Sequence, residues 1–388
     1  MHGPTMFGRK KRLGNQSRSV KNYGAIFIIS AASCMGFYGG ITAHAREANR
    51  ILAGIDETAS EYWAEYIAGV QSVSDSVHKH ATVLVSNYQG SQLLAQLGAV
   101  YATGAQNSAL VVDPSSNAFV KAVVDQAAKA QVYTVTLWNR PEDLHPWDTA
   151  SKYWVAHTSF DGVVTGYELG KELCKALNGK GYIAAISGVP STTPAYQRLA
   201  GLHKALEEFP DVKLIDIQDG EWQEVVAQKI TRTWIARYGN KLNGIFGSND
   251  IMARGAIAAL KERGLNGKIF VTGSDGAANA LELIKNGDML ATEWNDPTLQ
   301  GAVTTAIAYA AAAGDIDPEK LTQAQRDFYL QEEVVNKDNV DKFIALKKTD
   351  RKFDYNDMKS DLWKYSAGQI PVGAQVPVDS SKFINGHL

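Results

Sequence analysis

Six apolar, strand-like runs in this sequence each lead into residues able to hold a hydroxylated molecule. Residues 51–55 precede Tyr62 and Trp63, and residues 132–137 run into Trp138-Asn139-Arg140. Residues 183–186 precede Tyr196-Gln197-Arg198, and residues 212–217 precede Trp222. Residues 245–246 lead to Asn249-Asp250, and residues 269–272 to Asp275-Gly276. An aromatic ring covers the C–H face of a pyranose or polyol at low entropy cost, so two facing rings can sandwich it. A guanidinium presents a planar fork of donors that can hold two adjacent hydroxyls. Ligands of open α/β sheets bind just beyond the carboxyl ends of the strands. Rings, amides, a cation and a carboxylate recurring there predict a site for a small polyhydroxylated molecule.

The elements that must position these residues read β-α-β-α. Residues 51–55 form a strand, and the helix after it sets Trp63, Ile67, Val70 and Val77 on one face. A strand at 82–86 and a helix near 91–103 follow; the strand at 109–112 ends at Asp113-Pro114, and Ser116 can cap a helix through 129. The strand at 132–137 closes this first series, and a loop over 141–158 carries the chain into a second. There, helices near 163–177, 196–208, 224–238, 251–263 and 277–286 alternate with strands near 183–187, 212–217, 244–247 and 269–272. A strand at 289–294 is broken by Asp296-Pro297, an Ala-rich helix spans 299–313, and 328–336 reads as a last strand. This alternation predicts an α/β fold of parallel sheets with helices on both faces. The charged, then Pro/Gly-punctuated stretch after 346 is expected to wrap the surface or stay disordered.

With 388 residues, 45% of them apolar, the chain suits two domains. Residues 1–45 are expected to be a cleaved signal peptide: a basic stretch (Arg9-Lys10-Lys11-Arg12, Arg18, Lys21), a short apolar run at 25–33, and Ala43-His44-Ala45 as the cleavage site. That run is short and broken by Ser and Gly where a membrane span needs about 20 apolar residues. Lipoprotein processing at Cys34 is the weaker reading, because Ala31 stands where a bulky aliphatic residue is usual. Removing the six basic residues of the leader leaves 33 Lys and Arg against 41 Asp and Glu, a net charge of −8. No block of like charge offers a footprint for nucleic acid. His78-Lys79-His80 lacks a third ligand, and residues i and i+2 do not share a helix face, so no metal is expected. Cys174, between Leu173 and Leu177, reads as a buried thiol.

The chain up to about residue 345 resembles the type I periplasmic sugar-binding proteins of ABC importers, the ribose/galactose class. The resemblance is carried by Glu61-Tyr62-Trp63, Val135-Thr136-Leu137-Trp138-Asn139-Arg140, Gly247-Ser248-Asn249-Asp250-Ile251-Met252, Thr272-Gly273-Ser274-Asp275-Gly276 and Ala291-Thr292-Glu293-Trp294-Asn295-Asp296-Pro297, in that order. It implies two doubly wound parallel-sheet lobes joined by three hinge crossings, near 155–160, 293–297 and 326–330. Residues 46–158 and 296–327 would form the N-terminal lobe, 159–295 and 328–345 the C-terminal lobe, and 346–388 an extension. It further implies a periplasmic monomer without cofactor that closes on a neutral monosaccharide or polyol and delivers it to an inner-membrane ABC permease, with a chemoreceptor as a further candidate partner. Ligand contacts carry over to Tyr62, Trp63, Asn139, Arg140, Tyr196, Trp222, Asn249, Asp275 and Asn295. Three departures leave the sugar open: Asn139 stands where an acid is usual, Tyr196 near where an Arg is usual, and Ala59 where ribose binders often have a polar residue. Arg198 can replace Tyr196 if the register shifts.

Each assignment has a bland rival. Trp63 shares helical spacing with Ile67 and Val70 and could be core; Arg140 could be a solvated loop residue before Pro141. Asn249 and Asp275 precede helices and could serve as N-caps, although Asp250 could cap the first and free Asn249; Asn295 could cap a turn. His145-Pro146-Trp147-Asp148 reads as a surface loop sooner than a lid. Arg140 and Asp275 together balance the charge of the mapped contacts, which favours a neutral ligand. Among rival functions, a secreted sugar-active α/β enzyme would need a second carboxylate beside Asp275, from Glu57, Glu61 or Glu293, and no nucleophile elbow or phosphate loop is present. A sugar-responsive transcription regulator would need a helix-turn-helix where the leader stands. A furanosyl signalling molecule remains an alternative ligand.

Overall fold

The computed structural model describes residues 48–149 and 152–372; the signal peptide expected at 1–45, with Cys34, lies outside the described residues. Strands β1 (Ile51–Ile55), β2 (Ala81–Val85), β3 (Ala109–Val112), β4 (Tyr133–Leu137) and β5 (Trp154–Ser159) pair in parallel in the order β2-β1-β3-β4-β5. β1, β3 and β4 are buried throughout, as their unbroken apolar sequences require of parallel strands covered on both faces. The covering helices are α1 (Glu61–Ser76), α2 (Gly90–Ala102) and α3 (Val120–Lys129).

The second lobe repeats the plan. β6 (Lys180–Ser187), β7 (Asp211–Asp219), β8 (Gly244–Gly247), β9 (Phe270–Thr272) and β10 (Ala291–Trp294) pair in parallel in the order β7-β6-β8-β9-β10. Its helices are α4 (Gly162–Ala176), α5 (Thr193–Glu208), α6 (Glu224–Tyr238), α7 (Asp250–Lys261) and α8 (Ala278–Asn286). The chain then returns as α9 (Pro297–Ala313), which packs on α1 in the first lobe. A Cβ on Gly69 would lie 1.9 Å from the Thr298 carbonyl oxygen, and one on Gly301 2.0 Å from that of Tyr66, so these helices meet backbone to backbone.

After α10 (Gln323–Arg326) come β11 (Asp327–Leu330) and β12 (Glu333–Asn336), which correct the single strand expected at 328–336. β11 pairs with β5 in the first sheet, whereas β12 pairs antiparallel with β10 in the second. The polar pair Gln331-Glu332 interrupts the apolar run and carries the crossing, so the first lobe keeps its strand through Leu330 rather than ending at 327. The other passages fall between β5 and α4 and between β10 and α9.

The stretch after 346 takes the first of its two expected forms over its described part, wrapping the surface with elements of its own. α11 (Val340–Lys347) packs on α8 in the second lobe, and the chain then recrosses to the first. There α12 (Tyr355–Met358) lies on α1 and α9, and β13 (Ser366–Gln369) joins β11 as an antiparallel edge. Tyr355 packs edge-on against Tyr309 with ring centroids 4.7 Å apart, and Trp363 Nε1 donates to the Gln325 carbonyl at 2.8 Å. Arg351 forks onto both carboxylate oxygens of Asp296, the N-cap of α9. Cys174 is fully buried, and burial pushes its thiol up to about 11.

Candidate functional site

The two sheets share one strand order, and in each the order reverses beside the first strand of its series, β1 in one and β6 in the other. Such reversals open crevices at the carboxyl ends of strands. Here the segments beyond β1, β3 and β4 meet those beyond β6, β8 and β9 around a cavity of about 70 Å3, several times the roughly 10–15 Å3 that one water requires. Seven of the ten residues singled out in the sequence line it: Tyr62, Trp63, Asn139, Arg198, Trp222, Asn249 and Asp275.

Rings form the walls. Tyr62 meets Trp63 edge-on at 5.0 Å between centroids and Trp138 at 5.8 Å, and Trp138 Nε1 donates to the Tyr62 hydroxyl at 2.7 Å. The Tyr62 hydroxyl in turn donates to Gln300 Oε1 of α9, so this wall is fixed from behind. From the other lobe comes Trp222, held at φ +58°; its indole fills the space over Gly188, where a Cβ would fall 1.9 Å from the ring. Trp138, Tyr88 and Asp275, which also line the cavity, have φ of +59°, +59° and +130°. Bulky residues seldom adopt positive φ, and such strain concentrates where a side chain must be aimed at a ligand.

Polar groups fill the gaps between the rings. Asp113 accepts from Asn139 Nδ2 at 2.7 Å and from the Ser115 backbone N–H at 3.0 Å. Asp56 accepts from Ser86, whose oxygen is bonded to Ser115 Oγ at 2.8 Å. Burial raises both carboxyls above the ordinary range; the Asp56 charge pushes Asp113 further up, whereas the hydrogen bond with Asp113 pulls Asp56 down. Burial likewise lifts Asp275 well above its usual value against the opposing pull of Arg198. The Arg198 guanidinium lies 5.4 Å from the Trp138 ring centroid and donates through Nη1 to the Ser248 carbonyl at 2.6 Å. Its buried Nε has no protein partner among the described residues.

Asn249 does cap its helix: its Oδ1 accepts from Met252 N–H at 3.0 Å. Asp250 does not relieve it, because that carboxylate is held by Thr292 Oγ1 at 2.7 Å and Ala277 N–H at 2.8 Å. What Asn249 can offer the cavity is therefore its Nδ2 donor. Asn295 is buried behind the wall and reaches Asp275 at 3.5 Å.

Arg140 and Tyr196 are not at this cavity. They line a second, smaller one of about 20 Å3 with His157, Glu142 and Tyr329. Arg140 Nη1 donates to the carbonyls of Pro141, Glu142 and Leu144 at 2.7, 3.2 and 2.8 Å, and Nη2 lies 3.2 Å from Asp327. Its fork thus clamps its own loop to β11, and the same Asp327 holds the buried His145 at 2.9 Å. The cation at the main cavity is Arg198. It faces four acids, Asp56, Glu57, Asp113 and Asp275, so the charge balance expected from Arg140 and Asp275 does not describe this site. Asp56 and Asp113 follow β1 and β3 directly, and the strand-end rule that singles out Asn139 applies equally to them; Trp138 precedes Asn139 in the same way. Among the described residues no group of His, Cys, Asp and Glu is arranged to hold a metal.

Residues 55–316 match the periplasmic binding protein domain. The chain belongs to this family. Its members compared with this chain are sugar-binding periplasmic proteins of ABC importers, not enzymes, which removes the sugar-active enzyme as an alternative. A xylitol-binding protein of Mycolicibacterium smegmatis is 29% identical over 194 residues, 49% of this chain and 52% of that protein. The chain thus matches about half the length of that relative. A D-ribose/D-allose-binding protein of Pseudomonas aeruginosa is 26% identical over 69% of this chain and 83% of its own length. A solved twin-arginine translocation pathway signal protein from Burkholderia phytofirmans superposes with a TM-score of 0.80, at 33% identity over 84% of this chain and 99% of its own. That solved structure thus shares the two-lobed α/β architecture described above.

Proposed function

We propose that this protein captures one neutral monosaccharide or polyol between its lobes in the periplasm and delivers it to an inner-membrane ABC permease. The observation that carries this reading is the cavity itself. Aromatic faces of Trp63, Trp138 and Trp222 stand beside acceptors Asp56, Asp113 and Asp275 and donors Arg198 and Asn249, a set suited to a ring with hydroxyls along its rim. Relatives named for xylitol and for D-ribose and D-allose support the ligand class.

The charges argue for neutrality. Burial raises Asp56, Glu57, Asp113 and Asp275 above their ordinary values, so the site already resists further negative charge. A carboxylate or phosphate ligand would need surplus cations, and Arg198 faces acids already. A site that pairs each hydroxyl rejects an analogue lacking one by orders of magnitude. The test is a thermal-shift screen of pentoses, hexoses, polyols and inositols, since a ligand of the folded state raises stability by RT ln(1 + [L]/Kd). The best neutral hit is then competed against its uronate and its phosphate. The neutral form should win; tighter binding of either anion would overturn the reading.

A further inference from the structure

Helices α4, α7 and α9 carry their own N-caps, Asp161, Asn249 and Asp296, whose side chains accept first-turn N–H groups. Helices α5 and α8 do not: neither Thr192 nor Ala277 caps with its side chain. In both, the first N–H is taken by a side chain from the opposite lobe. Thr193 N–H of α5 donates to Asn139 Oδ1 at 3.0 Å, and Ala278 N–H of α8 donates to Glu61 Oε1 at 2.5 Å. An uncapped helix start presents unpaired donors and a positive dipole end, and both favour an acceptor, above all a carboxylate.

The two contacts flank the cavity. Asn139 is buried and has both ends of its amide engaged, Nδ2 on Asp113 at 2.7 Å and Oδ1 on α5. Beside it Thr193 Oγ1 donates to Asn117 Oδ1 of the first lobe at 2.8 Å. Glu61 does not line the cavity, and its side chain is 28% exposed. One turn along α1, Glu65 pairs with Lys347 of the second lobe.

We propose that Glu61 and Asn139 are closure latches: each caps a second-lobe helix only when the lobes are together, so they hold the bound sugar in without Glu61 touching it. This rests on the capture reading given above. Opening the lobes would hand both helix starts to water at little cost to the folded chain. The latches therefore bias the closed state, and a contact made only in one state shifts the equilibrium toward it.

The probe is the neutral sugar or polyol giving the largest thermal shift in the screen, followed by stopped-flow dissociation from wild type, Glu61→Ala and Glu61→Gln. Glu61→Ala should release the probe about five-fold faster with an unchanged association rate, the equivalent of the ~1 kcal/mol of one N-cap. Glu61→Gln keeps an acceptor and should restore most of the residence time. Asn139→Ala should cost more, because it also strips a donor from Asp113. The probe-free melting temperature of Glu61→Ala should equal that of wild type. An unchanged dissociation rate in Glu61→Ala, or an equal loss of melting temperature with and without probe, would overturn the latch while leaving the receptor reading standing. Absence of any binder in the screen would fail the receptor reading and the latch with it.

Discussion

Trp222 shows how one side chain can serve both packing and recognition. The indole belongs to the second lobe's core and also lines the cavity, and its left-handed backbone is the cost of aiming it there. Trp222→Ala should weaken binding of the screened neutral sugar by ~2 kcal/mol or more, roughly 30-fold in Kd. Calorimetry on the folded variant decides between roles: wild-type affinity with lowered thermal stability would make Trp222 core alone. Gly188→Ala tests the same ring without touching it, since the added methyl would force the indole away. It should reproduce much of the affinity loss. At this scale the sequence was partly legible. Strand-end position picks out Asn249, Asp275 and Trp222, because the segments beyond parallel strands border the crevice. The same rule cannot tell Arg140 from Arg198, because Arg140 is claimed by Asp327, a partner far along the chain that no local pattern reveals.

Between the elements, the crossings carry a pair of acids. Glu293 lies in β10, one residue before its end, Glu332 sits between β11 and β12, and their carboxyls adjoin. Ser274 Oγ donates to Glu293 at 2.9 Å and Thr165 Oγ1 to Glu332 at 3.0 Å. Burial raises Glu293 from 4.5 to about 7 despite Arg198, and raises Glu332 well above its usual value, with the Glu293 charge adding to it. A carboxyl raised in the folded state contributes stability that is fully present below its unfolded value and lost as pH climbs through the folded one. Between pH 4.5 and 7 the Glu293 contribution should therefore fall by up to ~3 kcal/mol, taking 1.36 kcal/mol per unit. Urea unfolding of Glu293→Gln at pH 5 and pH 8 should show a smaller difference than wild type; an equal difference would exclude this pair as the source. The βα repeat itself was readable because strands buried on both faces spell continuous apolar runs. The division of 328–336 between two sheets was not, because strand pairing is a property of partners and not of the strand. Likewise the fixed position of 348–372 depends on Tyr309 receiving Tyr355 and on Asp296 receiving Arg351, contacts hidden within a charged stretch.

At the scale of the whole molecule, two sheets whose first five strands share one order face each other across a cavity, linked by three passages of the main chain and a fourth through the C-terminal strap. Contacts joining the lobes include Asn139 to α5, Thr193 to Asn117, Glu61 to α8, Glu65 to Lys347 and the Arg198 guanidinium over Trp138. Such contacts separate at modest cost, whereas each lobe keeps its own apolar core. On the proposed reading, the arrangement described here, with helix starts capped across the cleft, is the closed state. A free protein that samples open states and a ligand that favours closure follow from the same geometry. Small-angle X-ray scattering of the protein, free and saturated with the neutral sugar or polyol from the screen, tests this most directly. The account predicts a smaller radius of gyration on binding, with the saturated profile matching the closed arrangement; identical profiles at saturation would contradict capture by lobe closure.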